Sequence, residues 1–164
     1  MKVEAKSGSV AWKSPSNIAI VKYWGKHGNQ LPSNPSLSFT LSESFTTTTV
    51  DFDVDPLRKS LELDFKFEGK AAPKFETKIR NFFTKNSADF PYLNHLKLSI
   101  SSENSFPHSA GIASSASSMS ALALCMVSIE SRVFGGFADK KQFRTRASHL
   151  ARLGSGSASR SVYG

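Results

Sequence analysis

Apolar and polar side chains alternate with a period of two in several separate stretches of the sequence, and this restricts the chain to folds that contain a sheet. The alternation is clearest where Leu61, Leu63, Phe65 and Phe67 are separated by acidic and basic residues. Successive side chains of a strand point to opposite faces of a sheet. The stretch therefore predicts a strand with one buried face and one exposed face.

Four further stretches predict strands. Residues 37–41 and 96–100 alternate in the same way, and residues 46–54 are rich in β-formers. Residues 17–21 form a short run rich in β-branched side chains, which is typical of a buried strand. Together these stretches predict an antiparallel sheet.

Three other stretches predict helices. After Pro73, apolar side chains recur at helical spacing on one side of residues 74–85, at Phe75, Ile79, Phe82 and Phe83. A longer helix is expected to start at a cap formed by Ser114 or Ser115 and to end at Gly135.

A third helix is expected from a cap at Asp139 to a stop near Gly154. The elements then follow as strands, a helix, a strand and two helices. This order predicts the α+β class rather than a regular βαβ alternation.

The composition is that of a folded domain. The 164 residues suit one domain or a piece of a larger one. Cys125 is the only cysteine, which excludes an internal disulfide framework, and its apolar neighbours predict that it packs in the core. No stretch approaches the roughly 18 apolar residues of a membrane span, and the N-terminus lacks a signal-peptide apolar run. We expect a cytoplasmic protein.

The charge balance favours anionic partners. The 21 Lys and Arg residues outnumber the 13 Asp and Glu residues, for a net charge of +8. Such a charge suits either nucleic acid or small phosphorylated ligands. The basic residues are spread along the chain with no run longer than two, so no polybasic tail is present to bind nucleic acid or a membrane unaided.

The most informative segment is Pro107–Ser118, where a loop of small residues leads from a predicted strand into a predicted helix. Small side chains let backbone N–H groups approach an anion, and the helix N-terminus adds partial positive charge. The segment is neither a Walker A loop nor a dinucleotide-binding fingerprint. From the residues alone it is either a phosphate-binding loop or an ordinary Ser-rich helix entry.

Two other segments carry basic side chains in distinctive settings. Lys22 and Lys26 bracket an aromatic pair at the end of a predicted strand, where they can present two point charges to a polyphosphate. Arg160 follows a Gly- and Ser-rich turn and offers a fork of N–H donors to a carboxylate or phosphate. Each segment also has a second interpretation. The two lysines could be solvated beside core aromatics, and Arg160, taken alone, is better explained as an exposed side chain in a flexible loop.

Taken in this order, the segments resemble the mevalonate diphosphate decarboxylases of the GHMP kinase superfamily. The motifs that carry the resemblance are Asn17–Lys26, Leu31–Ser38, Phe106–Ser117 and Ala151–Ser161. The resemblance spans the whole chain and is weakest between about residues 51 and 94. The chain departs from the family at His108 and Ser109, where smaller or less polar residues are usual, and at Pro35, where a Ser is common.

The resemblance implies the α+β fold of the GHMP kinase N-terminal domain, a ribosomal-protein type of fold with a mostly antiparallel sheet and helices on one face. It implies an enzyme that uses ATP and Mg²⁺ to phosphorylate the tertiary hydroxyl of mevalonate 5-diphosphate. Loss of phosphate and carbon dioxide then gives isopentenyl diphosphate. Residues 1–164 would form the N-terminal ATP and substrate domain without the C-terminal part. The intact protein would be a homodimer without nucleic-acid or membrane partners.

The resemblance also assigns roles to residues. Lys22 and Arg160 are expected to be catalytic, Lys22 beside the transferring phosphoryl group and Arg160 as a clamp on the substrate carboxylate. Substrate binding is expected from Asn17, Tyr23, Lys26, Ser155 and Arg160. The ATP phosphates are expected at Ser109, Gly111, Ala113, Ser114 and Ser115, with Ser115 or a neighbouring serine near Mg²⁺.

Two alternatives remain open. A paralogue would phosphorylate or decarboxylate mevalonate or phosphomevalonate, although Tyr23 and Lys26 suit a diphosphate. A non-catalytic nucleic-acid-binding domain would explain the charge, although the aromatic residues alternate as strand cores instead of forming a stacking platform. The family's catalytic aspartate lies downstream of Ser161, so this chain alone is expected to be inactive. The four histidines share no ligand spacing, and no metal is assigned to them.

Overall fold

A computed structural model describes residues 4–22, 24–28, 30–107 and 112–163. The strands are β1 (Lys6–Val21), β2 (Lys26–His27), β3 (Leu31–Pro32), β4 (Leu37–Val54), β5 (Glu62–Phe67), β6 (Lys70–Ala71) and β7 (Leu96–Asn104). The helices are α1 (Pro73–Lys85), α2 (Ser114–Phe134), α3 (Lys140–Gly154) and the single turn α4 (Ala158–Ser161). Two short 3₁₀ turns, Ser87–Asp89 and Leu93–His95, connect α1 to β7.

The main sheet has five strands in the order β1-β4-β7-β5-β6, and β2 and β3 form a separate two-stranded ribbon. All pairs in the main sheet are antiparallel except β5 with β7. The prediction of a mostly antiparallel sheet is confirmed. The parallel pair was not predicted; it arises because α1 lies between the two strands and carries the chain back across the sheet.

The two longest strands are longer than the sequence pattern indicated. The separate strands expected at residues 37–41 and 46–54 are one strand, β4, and residues 17–21 are the end of β1. The prediction that residues 17–21 are buried is wrong at its end, because Ile20 and Val21 are exposed. Val21 pairs with Leu37 of β4, whose side chain is exposed as well.

The core lies between one face of the sheet and the helices. Helix α2 packs on β1 and β4, α1 packs on β5, and α3 and α4 pack on α2. The buried face of β4 and β7 is made by alternate residues: Val50, Phe52, Val54, Leu96, Leu98 and Ile100. The residues between them on β4, such as Asp51 and Asp53, are exposed. The predicted period of two therefore corresponds to the alternation of buried and solvent-exposed side chains along the strands.

The predicted helix cap at Asp139 is confirmed, and the predicted cap of α2 is wrong. Asp139 Oδ1 accepts a hydrogen bond of 2.7 Å from the backbone N–H of Gln142. The residue before α2 is Ala113, which has a left-handed φ of 57° and supplies no side-chain cap. Ser114 is already inside the helix, and its carbonyl accepts hydrogen bonds from two hydroxyls one turn later.

The interior contains the single cysteine, as predicted, since Cys125 lies fully buried in α2. Within the described ranges, no helix is long and apolar enough to cross a membrane.

Candidate functional site

A seam of buried polar side chains joins the start of α2 to the sheet. Ser117 Oγ of α2 lies 2.7 Å from Thr46 Oγ1 of β4 and accepts a hydrogen bond of 3.4 Å from Ser16 Oγ of β1. Thr46 Oγ1 also donates to Asn104 Oδ1 at the end of β7, at 2.8 Å. Buried hydroxyls are costly unless they are hydrogen-bonded. The seam therefore favours one position of the α2 N-terminus relative to three strands.

Asn17 continues this seam towards α4. Its Nδ2 donates to Ser161 Oγ at 2.9 Å, and its Oδ1 accepts from Ser38 Oγ at 3.4 Å and Thr40 Oγ1 at 3.2 Å. Ser14 Oγ donates to the carbonyl of Ser161 at 3.0 Å. Asn17 was predicted to bind substrate. Its side chain is buried, and its amide group forms hydrogen bonds that hold α4 against the strands.

Arg160 extends from α4 to the loop before β4. Its Nη1 donates to Ser36 Oγ at 2.9 Å, and its Nε is shut off from solvent without a hydrogen-bond partner among the described residues. By contrast, Arg58, Arg80 and Arg146 each form ion pairs with carboxylates. No acidic residue in the described ranges forms an ion pair with Arg160, so its positive charge remains available to an anion.

The lysine segment is attached to the same loop. Asn34 Oδ1 accepts from the backbone N–H of Trp24 at 2.6 Å, and Asn34 Nδ2 donates to the carbonyl of Lys22 at 3.5 Å. Because Asn34 lies two residues before Ser36, one loop contacts both the Lys22 backbone and the Arg160 guanidinium. Trp24 is 82% exposed and is therefore not the core anchor that the alternative interpretation required.

The other predicted substrate residues occupy different surroundings. Lys22 is exposed, and Lys26 Nζ donates to Gln30 Oε1 at 2.5 Å within the β2–β3 ribbon. Ser155 is half-buried in the turn between α3 and α4, where its carbonyl accepts from the N–H of Ala158 at 2.8 Å. Tyr23 lies outside the described residues.

The predicted phosphate loop is described only in its second half. Ala113 and Ser114 are half-buried, Ser115 is exposed, and the first turn of α2 contains no acidic residue. The first N–H groups of a helix have no partner inside it, so this uncapped N-terminus suits an anion. Ser109, Gly111 and the neighbouring His108 lie outside the described residues.

Sequence reasoning gave no role to Ser36, Asn34 or the buried hydroxyls of the seam. A signal for some of them is present, because hydroxyl side chains alternate with apolar ones from Ser36 to Ser42. Such a pattern is typical of any half-exposed strand, so it did not single out these residues. In the part of the chain that the structure describes, no cluster of three or more His, Cys, Asp or Glu side chains could hold a metal ion.

A family model decides the relationship of this chain to known proteins. The model for the diphosphomevalonate decarboxylase-like N-terminal domain matches residues 14–164. The chain belongs to this family. The match of this decarboxylase-like domain covers the buried seam, the lysine segment and Arg160, which confirms the resemblance found in the motifs.

Two relatives show how much of a diphosphomevalonate decarboxylase the chain represents. The enzyme of Bos taurus is 37% identical over 167 residues, which cover 94% of this chain and 39% of the relative. The enzyme of Candida albicans is 36% identical over 165 residues, covering 95% of this chain and 43% of the relative. The chain thus spans less than half the length of these relatives.

Solved structures of this family share the fold. The mevalonate diphosphate decarboxylase of Staphylococcus aureus superimposes with a TM-score of 0.72 at 33% identity, over 95% of this chain and 44% of that one. A structure of MDDEF in complex with MVAPP, AMPPCP and magnesium gives a TM-score of 0.68 at 36% identity, over 96% and 44% of the two chains. The expected GHMP kinase fold is confirmed.

Proposed function

We propose that this chain is the substrate- and nucleotide-binding part of an enzyme that uses ATP to convert mevalonate 5-diphosphate to isopentenyl diphosphate. The observation that carries the proposal is the pairing of Arg160 with the neutral Ser36 Oγ at 2.9 Å, on the same loop that holds the lysine segment. A cation without an acidic partner among the described residues, held by the loop that also binds the Lys22 backbone, suits a ligand that carries both a carboxylate and a diphosphate. The names of the relatives support this substrate.

The polar and charged residues of the candidate site would bind different parts of the substrate. Arg160 would bind the carboxylate through paired N–H bonds and so orient it for loss as carbon dioxide. Tyr23 and Lys26 would hold the diphosphate, and Ser155 would donate a hydrogen bond in the same pocket. Lys22 would lie near the transferring phosphoryl group, where a fixed cation stabilises the developing negative charge.

The start of α2 fits the phosphates of ATP. Among the described residues no side chain caps its N-terminus, its first turn contains no acidic residue, and Ser115 is exposed. In many nucleotide-binding enzymes a Ser or Thr hydroxyl at the phosphate loop is one ligand of Mg²⁺ besides the phosphate oxygens, and Ser115 fits that role. The bound ion would neutralise negative charge on the ATP phosphates, and the backbone of residues 113–115 would orient these phosphates.

The group that accepts the hydroxyl proton is expected outside this chain. Five of the six aspartates have other partners: Asp53 pairs with Arg58, Asp55 accepts from the N–H of Leu57, Asp64 accepts from Ser99, Asp89 pairs with Arg146, and Asp139 caps α3. The sixth, Asp51, is exposed within β4. A general base must lie within hydrogen-bond reach of its proton. We therefore assign the base to the part of the family beyond the matched domain, and expect the 164-residue chain alone to turn over nothing.

Calorimetric titration of the 164-residue chain tests the substrate assignment. Mevalonate 5-diphosphate should bind about tenfold or more tightly than isopentenyl diphosphate, which lacks the carboxylate, because a hydrogen-bonded ion pair is worth about 1.5–3 kcal/mol. Arg160→Lys should remove this preference, since an ammonium keeps the charge but not the fork. Arg144→Lys, on an exposed arginine of α3, is the matched control and should bind both ligands as the parent does.

Turnover separates the proposal from its alternatives. The chain supplied in trans with the unmatched part of the Staphylococcus aureus relative should release carbon dioxide and consume ATP in equal amounts. ATP consumption without carbon dioxide would indicate a kinase paralogue. Nanomolar RNA or duplex affinity with a steep salt dependence, in place of mevalonate 5-diphosphate binding, would indicate a nucleic-acid-binding domain.

A further inference from the structure

We infer that Ser36 is a positioning residue for the Arg160 guanidinium, which it orients towards the substrate carboxylate without neutralising its charge. The inference deepens the proposed function and rests on it. It starts from a contact between residues 124 positions apart, Arg160 Nη1 to Ser36 Oγ, which no local pattern in the sequence indicates.

The hydrogen bonds around Arg160 hold the backbone of α4 and not the arginine side chain. On one side, Ser148 Oγ of α3 donates to the carbonyl of Ser159 at 3.5 Å. Helix α4 has four residues, and a helix this short is unstable by itself. Ser14 and Asn17 bind the carbonyl and hydroxyl of Ser161, with distances of 3.0 and 2.9 Å. These bonds fix the turn against β1, but they end at Ser161 and leave the arginine side chain unrestrained.

Ser36 supplies the missing restraint on the side chain. A free arginine side chain samples many rotamers, so a guanidinium needs its own contact to stay in one orientation. Among the described residues, the Ser36 hydroxyl is the hydrogen-bond partner of the guanidinium, and Arg160 Nε is buried without a partner. Ser36 is half-buried and follows Asn34, whose Nδ2 donates to the Pro35 carbonyl at 2.8 Å and steadies the loop.

The neutral hydrogen-bond acceptor distinguishes Arg160 from the arginines that form ion pairs inside the domain. Arg146 is held by Asp89 and Glu130, and Arg58 by Asp53 and Glu62, so their charges are balanced inside the domain. A carboxylate at position 36 would hold Arg160 at least as firmly, but it would also compete with an anionic ligand. A hydroxyl accepts a hydrogen bond from the guanidinium N–H and leaves the positive charge of Arg160 available to the substrate.

Three substitutions of Ser36 test this role. Ser36→Ala should weaken binding of mevalonate 5-diphosphate by about tenfold, the value of one hydrogen bond to a charged group, and leave isopentenyl diphosphate binding unchanged. Ser36→Thr keeps the hydroxyl and should restore most of the loss. Ser36→Asp should abolish the preference for the carboxylate ligand by forming an internal ion pair. Ser42→Ala, on an exposed serine of β4, is the matched control.

A second measurement needs no ligand. The Nε–H resonance of Arg160 in side-chain NMR spectra should report one ordered conformation in the parent and in Ser36→Thr, and rotamer averaging in Ser36→Ala. Unchanged affinity together with an unchanged resonance in Ser36→Ala would overturn the inference. An equal loss for both ligands would also overturn it, because it would show that Ser36 serves the loop as a whole. If the parent chain has no preference for mevalonate 5-diphosphate, the proposed function fails instead.

Discussion

Cys125 shows at the scale of one residue how burial decides chemistry. The thiol is fully buried in α2, and its Sγ lies 3.3 Å from the carbonyl of Thr48. Burial away from water raises its pKa from 9.0 to about 12, because the thiolate cannot be solvated there. The thiol is therefore neutral at physiological pH, and Cys125 serves as a packing residue.

This pKa shift predicts a loss of stability at high pH. The unfolded chain releases the thiol proton near pH 9 and the folded chain near pH 12, so unfolding becomes easier as the pH rises through that window. The expected slope is about 1.4 kcal/mol per pH unit. Urea unfolding between pH 8 and 11 should show the advantage of the parent over Cys125→Ala shrinking above pH 9. Parallel curves for the two proteins would contradict the burial argument.

At the scale of elements, the two long helices begin in opposite ways. Helix α3 starts at an aspartate whose carboxylate binds the N–H of Gln142, whereas α2 starts at Ala113 with no side-chain cap. A cap satisfies N–H groups and stabilises its helix. Ala113 supplies no such cap to the first N–H groups of α2, which belong to the predicted phosphate loop. This difference between the two helices agrees with the proposed binding of an anion at the start of α2.

The cap of α3 is expected to contribute measurable stability. Asp139→Ala should lower the free energy of unfolding by about 1 kcal/mol, since two of its functions, the hydrogen bond and the charge at the helix N-terminus, are lost together. Asp139→Asn keeps the hydrogen bond and should recover most of the loss. Urea unfolding with an unchanged m-value measures both variants. Equal stability of Asp139→Ala and the parent would exclude the cap as a stabilising contact.

At the scale of the whole molecule, the end of β1 and the start of β4 form an exposed apolar surface. Leu37 is 60% exposed and pairs with Val21, and Phe39 is 47% exposed and pairs with Ile18. Contiguous apolar surface of this kind usually marks a contact with another part of a protein. The chain spans 44% of the Staphylococcus aureus relative, so the unmatched part of such a protein is available to cover it.

The isolated chain is therefore expected to self-associate. Replacing Leu37 and Phe39 together by Ser should shift the sedimentation distribution towards monomer and leave the free energy of unfolding nearly unchanged, because neither side chain is buried. Leu57→Ser is the matched control, since Leu57 is 80% exposed elsewhere on the surface. If Leu57→Ser reduces association as much as the double variant, the β1 and β4 ends are not the contact surface.

Local patterns in the sequence predicted the features that depend on near neighbours. The alternation around Phe65, the helical spacing before Lys85, the cap at Asp139 and the buried Cys125 are all present in the structure. In each case the relevant contacts involve the core face of one element or residues within one turn. Side-chain periodicity records such contacts directly.

The tertiary structure decided the features that depend on distant partners. Three features depend on segments that are far apart in the chain. They are the parallel pairing of β5 with β7, the exposure of Val21, and the contact between Ser36 and Arg160. An apolar residue at a strand end, or a serine in a loop, has the same local pattern whether it is buried, exposed or bound to an arginine. Only the packing of the strands and of α4 selects among these states, because the selecting free energy comes from contacts between elements.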